Sequence, residues 1–126
     1  MSASAVLSDV FHALGDPTRR ALVGALTDGP QRMSDLAAPL PMSLTAVSKH
    51  LRVLEAAGLV RRERQGREHH FEVIPGGLDD AHGWISAQRD AWLDRFAALE
   101  SVLATRAGEA ATTAPAGGGD AQDRSR

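Results

Sequence analysis

The strongest signals of the fold lie in residues 43–67, SLTAVSKHLRVLEAAGLVRRERQGR. Ser43 is a favourable helix N-cap, because its hydroxyl can accept a hydrogen bond from a backbone amide of the first turn. The apolar residues that follow it recur at i, i+4 and i+7, the spacing of one helix face: Val47, Leu51 and Leu54. This pattern predicts a helix that runs from Ser43 to about Ala57 and stops at Gly58.

The polar residues of this helix lie on a different side from its apolar residues. They are spaced i, i+3, i+4 and i+7: Thr45, Ser48, Lys49 and Arg52. An α-helix fits the major groove of DNA, where such side chains can contact base edges or phosphates. Ser43 and Ala46, in the first turn, are expected to face DNA with them. The alternative is the solvated face of an ordinary surface helix.

A β-hairpin is predicted directly after the helix. Two extended runs, Leu59–Arg64 and Arg67–Ile74, flank a turn at Gln65-Gly66. Arginines in this segment would form a basic tip able to lie along the sugar-phosphate backbone or in the minor groove. The residues expected to contact DNA there are Arg62, Arg64, Gln65 and Arg67, with Arg61 nearby. A solvated edge strand is the alternative, because Glu63 and Glu68 dilute the positive charge.

The remaining sequence predicts helices on both sides of this segment. Apolar spacing predicts one helix through Val6–Leu14, and the Asp16-Pro17 pair begins a second. A short helix is expected at residues 34–38, and a long one from Leu78 to about Ala104. The predicted fold is thus mainly α with a small β-hairpin wing, a winged helix-turn-helix of about five helices. We expect one domain over residues 1–106 and a disordered tail over residues 107–126.

Composition narrows the possible functions. The net charge of the 126 residues is only −2. The charge is unevenly distributed, because residues 43–70 carry six basic and three acidic side chains, whereas residues 79–109 carry three basic and six acidic ones. There is no cysteine, which excludes disulfides and thiolate chemistry, and none of the common catalytic motifs is present, so we expect no enzyme. The chain has no secretory signal and no apolar run long enough for a membrane span, and a cytoplasmic protein is expected.

These residues together resemble the ArsR-type family of winged helix-turn-helix bacterial repressors, over roughly residues 10–103. The matching segments are Leu14–Arg20, Met42–Leu51, Leu54–Val60 and Gly66-Arg67. The resemblance implies a homodimer, joined mainly through the first and last helices, that binds a pseudo-palindromic operator in double-stranded DNA. The apolar residues that suit such an interface are Val6, Val10, Phe11, Trp84, Ile85, Trp92, Phe96 and Leu99. Some of them must instead pack in the core of their own monomer.

A metal site is not expected, which places the chain with members of the family that do not sense metal. Asp80 and His82 resemble the start of an Asp-x-His element, but Leu93 stands where its second histidine would be. His69 and His70 are adjacent on a strand and point to opposite faces. No cofactor is predicted, and any small-molecule effector stays unknown. The alternatives are a metal-responsive repressor and a winged helix that contacts proteins without binding DNA.

Overall fold

The computed structural model describes residues 3–113, in which five helices and three strands are formed. The chain divides into two compact units, whose described parts are residues 3–85 and 86–113. This architecture confirms the predicted class, mainly α with a β-hairpin wing. The elements in chain order are α1 Ala3–Leu14, α2 Pro17–Leu26, β1 Gln31–Arg32, α3 Met33–Ala37, α4 Leu44–Ala56, β2 Val60–Gln65, β3 Glu68–Val73 and α5 Asp79–Thr113.

Helix α4 begins and ends with local signals that the sequence predicts. The Ser43 hydroxyl accepts a hydrogen bond of 3.1 Å from the backbone N–H of Ala46, as an N-cap should. At the other end Gly58 has a φ of 77°, and its N–H donates to the Glu55 carbonyl. The N–H of Leu59 donates to the Leu54 carbonyl, which completes a Schellman motif and turns the chain into β2.

The three strands form an antiparallel sheet in the order β1-β3-β2. The hairpin turn is Gly66-Arg67, one residue later than predicted, because Gln65 pairs with Glu68 and remains in the ladder. Gly66 takes a φ of 66° at the first turn position, which only glycine adopts at little cost. Strand β1 was not predicted, since two residues are too few to show a period.

The core of the first unit lies beneath α4. Val47, Leu51 and Leu54 are fully buried, as their spacing predicts, and Phe71 of β3 packs with them. Val10 is only 1% exposed and belongs to this core. Its predicted place in the dimer interface is therefore wrong, because it has no free surface to offer a partner.

Helix α5 extends further than predicted, to Thr113 rather than to about Ala104. The predicted disorder is therefore wrong for residues 107–113, where alanine and glutamate favour helix and proline is absent. Residues 114–126, the rest of the predicted tail, lie outside the described residues. No helix within residues 3–113 has the length and apolar character that a membrane span requires.

Candidate nucleic-acid interface

The polar face of α4 is open to solvent. Thr45, Lys49 and Arg52 are exposed and Ser48 is half-buried, while the opposite face of the helix is fully buried. These four side chains line one shallow depression of about 310 Å³. The structure therefore brings together the stripe that the sequence predicts.

Two apolar side chains also line this depression, and the spacing of the polar residues on α4 did not predict them. Met33 comes from the start of α3, and Leu44 is the first residue of α4. A signal for Leu44 was available, because Leu44, Ser48 and Arg52 are each four residues apart and so share a helix face. Met33 carried no such signal, since its position depends on how α3 packs against α4.

The N-cap hydrogen bond joins Ser43 to Ala46, the two first-turn residues that were predicted to contact DNA. Ser43 is exposed, and its hydroxyl oxygen accepts the Ala46 amide proton while its own hydrogen is free to be donated. The Ala46 amide is therefore occupied, and Ala46 itself is half-buried. Of the two, Ser43 is the better placed to donate to a phosphate.

Arg62 does not lie at the tip of the wing. Its Nη2 donates to Glu55 Oε1 of α4 at 2.8 Å, and its guanidinium lies 5.1 Å from the centre of the Phe71 ring. The side chain is only 29% exposed. Arg62 is therefore less available for the predicted DNA contact than the residues at the tip, because strand alternation turns it, with Val60, toward the core side of the sheet.

The tip of the wing consists of Arg64, Gln65 and Arg67, all exposed. Arg64 Nε donates to the Gly66 carbonyl at 3.0 Å, so this side chain also braces the turn. Within residues 3–113, the basic side chains Lys49, Arg52 and Arg67 have no ion-pair partner. Unpaired positive charge is therefore present at both the recognition helix and the wing tip.

Acidic residues of the wing are mostly paired. Arg61 bonds Glu72 across the two strands at 2.7 Å. Arg32 of β1 bonds both Asp35 at 3.2 Å and Glu68 at 3.0 Å, and the carboxylates of Asp35 and, second, Glu68 raise the pKa of the Arg32 guanidinium. Because Glu68 is paired with Arg32, it offsets less of the wing's positive charge than the sequence suggests. The sequence could not show this pairing, since Arg32 lies in β1, which was not predicted.

The segment Leu14–Arg20 ties the first two helices together. Arg19 donates to the carbonyls of Ala13 at 2.7 Å and His12 at 3.1 Å, and Arg20 donates to that of Leu14 at 2.7 Å. These carbonyls lie at the C-terminal end of α1, where no intrahelical donor is available.

His50 of α4 packs against this same junction. Its Nδ1 lies 3.3 Å from Arg19 Nη1 and 3.8 Å from Asp16 Oδ2. The sequence left open whether His50 touches a phosphate or packs locally, and the structure shows local packing. The contact helps to hold the recognition helix against the turn between α1 and α2.

Asp16 caps α2, and its ionisation should contribute to stability. Its pKa lies below the ordinary value of 3.8, first because the Arg19 amide donates to it at 3.0 Å, with Coulombic help from His50 and Arg19. A lowered folded-state pKa stabilises the protein above the unfolded value, and this stability is lost as the pH falls through the folded value. We expect the melting temperature to decrease as the pH is lowered from about 5 to about 2. The decrease should be smaller in Asp16→Asn, because asparagine caps the helix without a charge.

The measurement is thermal unfolding followed by circular dichroism across this pH range. Asp28→Asn, at an exposed position after α2, is the matched control for the change in charge. An acid dependence in Asp16→Asn as steep as in the wild type would contradict the role assigned to Asp16.

The histidines of the wing are separated as the sequence predicts. His69 pairs in register with Arg64 and His70 with Glu63, so the two rings lie on opposite faces of the sheet. Within the part of the chain that the structure describes, no three His, Asp or Glu side chains are grouped so as to hold a metal ion. Asp80 and His82, at the start of α5, are both exposed.

Of the residues predicted to join two subunits, several expose large apolar surfaces. Phe11 and Trp84 form an edge-to-face pair with ring centres 5.7 Å apart, and both stay at least 36% exposed. Ile85 is 50% exposed, and Val6 is half-buried. In the second unit the exposed apolar side chains include Trp92 at 65%, Phe96 at 62% and Leu99 at 52%.

The fold is that of a winged helix-turn-helix DNA-binding protein. It combines a short helix, a recognition helix with an open polar face and a β-hairpin with a basic tip. Residues 14–63 match the family model described as a helix-turn-helix domain. Among solved structures, the chain is similar to a crystal structure of an ArsR family transcriptional regulator, with a TM-score of 0.67 and 36% identity. That match covers 71% of this chain and 92% of the other. The chain belongs to the ArsR family of transcriptional regulators.

Curated relatives agree with this assignment. The chain is 44% identical over 68 residues to the HTH-type transcriptional regulator Rv2034 of Mycobacterium tuberculosis, a match that covers 54% of this chain and 64% of that regulator. It thus spans slightly less than two thirds of that relative's length. It is 29% identical over 79 residues to the transcriptional repressor SdpR of Bacillus subtilis, covering 63% of this chain and 88% of SdpR.

Proposed function

We propose that this protein is a homodimeric transcriptional repressor that binds a pseudo-palindromic operator in double-stranded DNA. The observation that carries the proposal is the open polar face of α4, where Lys49 and Arg52 have no ion-pair partner among the described residues. Similarity to a relative named as a repressor supports repression as the outcome. The function requires no catalytic step and places the protein with the bacterial chromosome in the cytoplasm.

The helix and the wing have different tasks in this proposal. Thr45, Ser48, Lys49 and Arg52 read base edges in the major groove, where each base pair presents a distinct set of donors and acceptors. Arg64, Gln65 and Arg67 hold the sugar-phosphate backbone, which contributes affinity without sequence information.

The exposed apolar surfaces of α1 and α5 supply the contact between two copies. Exposed apolar side chains grouped on one helix are typical of an interface. A symmetric dimer presents two recognition helices, which fit half-sites about 34 Å, one turn of DNA, apart. Residues 1–106 would then form the DNA-binding and dimerisation domain.

A selection of bound duplexes from a random-sequence DNA pool tests the proposed function. We expect the purified protein to enrich a two-fold related sequence and to bind it less tightly as salt rises, because bound phosphates release counterions. A folded dimer that shifts no duplex even at low salt would contradict the proposal. That result would favour the alternative of a winged helix that contacts proteins only.

Arg67→Ala is expected to weaken binding to all duplexes by a similar factor. Arg67 lies at the wing tip without an ion-pair partner among residues 3–113, so its removal leaves one phosphate without a cation in each subunit. The slope of log affinity against log salt should decrease by about one for each phosphate that is no longer neutralised, or about two for the dimer. Fluorescence anisotropy at several salt concentrations measures this slope.

Ala87→Glu is the matched control for Arg67→Ala, because it lowers the net charge by the same amount at an exposed position on α5, away from the face that carries Trp92 and Phe96. It should leave the slope unchanged. If Arg67→Ala altered the preferred sequence and left the slope intact, the task assigned to the wing would be wrong.

A further inference from the structure

Leu44 is an exposed leucine on the proposed DNA-reading surface. It is the first residue of α4, and its exposed fraction is 57%. Unlike Met33, it is not among the residues that pack the core. It lies in the depression that Thr45, Ser48 and Lys49 also line. The fold of the monomer therefore gives Leu44 no packing role.

The position of Leu44 restricts what it can contact. The first residues of a recognition helix are the ones that reach base edges in the major groove. The neighbouring side chains on this surface are hydroxyls and cations, which match the polar groups of the bases. An isobutyl group can match only an apolar group, and among the four bases the major groove offers one, the C5-methyl of thymine.

We propose that Leu44 determines specificity by contacting a thymine C5-methyl group in each half-site of the operator. The inference rests on the proposed function and adds the base that this side chain recognises. Met33, half-buried beside Leu44 in the same depression, extends the apolar surface available to the methyl group. Leu44 thus prefers thymine over cytosine at one base position, whereas Ser48 and Lys49 act through hydrogen bonds at other base positions.

Replacing thymine by deoxyuridine tests the proposal, because it removes the methyl group and leaves every hydrogen-bonding group in place. The probe is the duplex enriched from the random-sequence pool, with deoxyuridine placed at one thymine position at a time in both half-sites. For the wild type we expect one position at which affinity falls about fourfold for each half-site, or about 15-fold for the dimer. Fluorescence anisotropy gives the dissociation constants.

The same duplexes bound by Leu44→Ala complete a double-mutant cycle. This variant should bind the thymine and deoxyuridine duplexes equally at that position, with sensitivity at other positions unchanged. Leu44→Met, which keeps an apolar side chain, should retain most of the preference. Because Leu44 is exposed, both variants should melt at the wild-type temperature, which circular dichroism checks.

Three outcomes would overturn the inference, and they are distinguishable. If the wild type binds its selected duplex but no deoxyuridine substitution weakens it, or if Leu44→Ala keeps the full sensitivity, the contact does not exist and the proposed function still stands. If the folded protein selects no duplex, the proposed function fails and the inference fails with it.

Discussion

Trp92→Glu is expected to convert the proposed dimer into monomers that bind the operator at least about 100-fold more weakly. Trp92 is the most exposed of the large apolar residues of α5, at 65%, and it lines a surface depression of about 350 Å³ with Phe96. Burying a carboxylate at this point of the proposed apolar interface is costly. The drop in affinity follows because a monomer engages one half-site and forgoes the gain that comes from linking two.

The spacing along α5 supports the choice of Trp92. Its large apolar residues recur at intervals of four, three and four, the pattern of a helix that packs along another helix: Trp92, Phe96, Leu99 and Leu103. Ala87→Glu is the matched control, because it adds the same charge on the face that already carries Asp90 and Asp94. Light scattering measures the oligomeric state. A variant that remains a dimer would remove Trp92 from the interface.

Phe71→Ala is expected to lower the free energy of unfolding by about 3 to 5 kcal/mol. Phe71 is fully buried at the centre of β3, the middle strand, and pairs in register with Gln31 on one side and Arg62 on the other. Its removal leaves a cavity and takes away the ring beneath the Arg62 guanidinium. The free energy of unfolding of a small domain is only about 5 to 15 kcal/mol in total, so the melting temperature should fall by about 15 °C or more.

Chemical denaturation of Phe71→Ala measures this destabilisation, with Phe71→Leu as the control. Leucine fills most of the same volume and should lose clearly less stability. A decrease below about 1 kcal/mol in Phe71→Ala would show that the strands do not depend on this side chain.

The sequence was most informative where the physical signals are local. The N-cap at Ser43, the stop at Gly58 and the buried stripe Val47, Leu51 and Leu54 are each encoded within one helix, and the structure has them as predicted. The polar stripe of α4 follows from the same periodicity, because a helix face is fixed by spacing alone. The candidate site on the helix was therefore predictable almost in full.

The wing was predicted less well, since its charges depend on partners far along the chain. Arg62 pairs with Glu55 and stacks on Phe71, and Glu68 pairs with Arg32 of a strand too short to be predicted. Nothing in the spacing of the basic residues distinguishes Arg62 from Arg67. Strand register and the approach of β1 make that distinction.

Caps, turns and periodicity act within a few residues, and they were enough to predict the helices, apart from the end of α5, the hairpin and the side of α4 that faces outward. Long-range packing, by contrast, placed Val10 in the core and His50 on Arg19, and it left Arg67 rather than Arg62 free at the wing. It also exposed Leu44 beside Met33. These features arise from contacts between residues distant in sequence, whose geometry exists only once α4, the sheet and the α1–α2 junction have packed together.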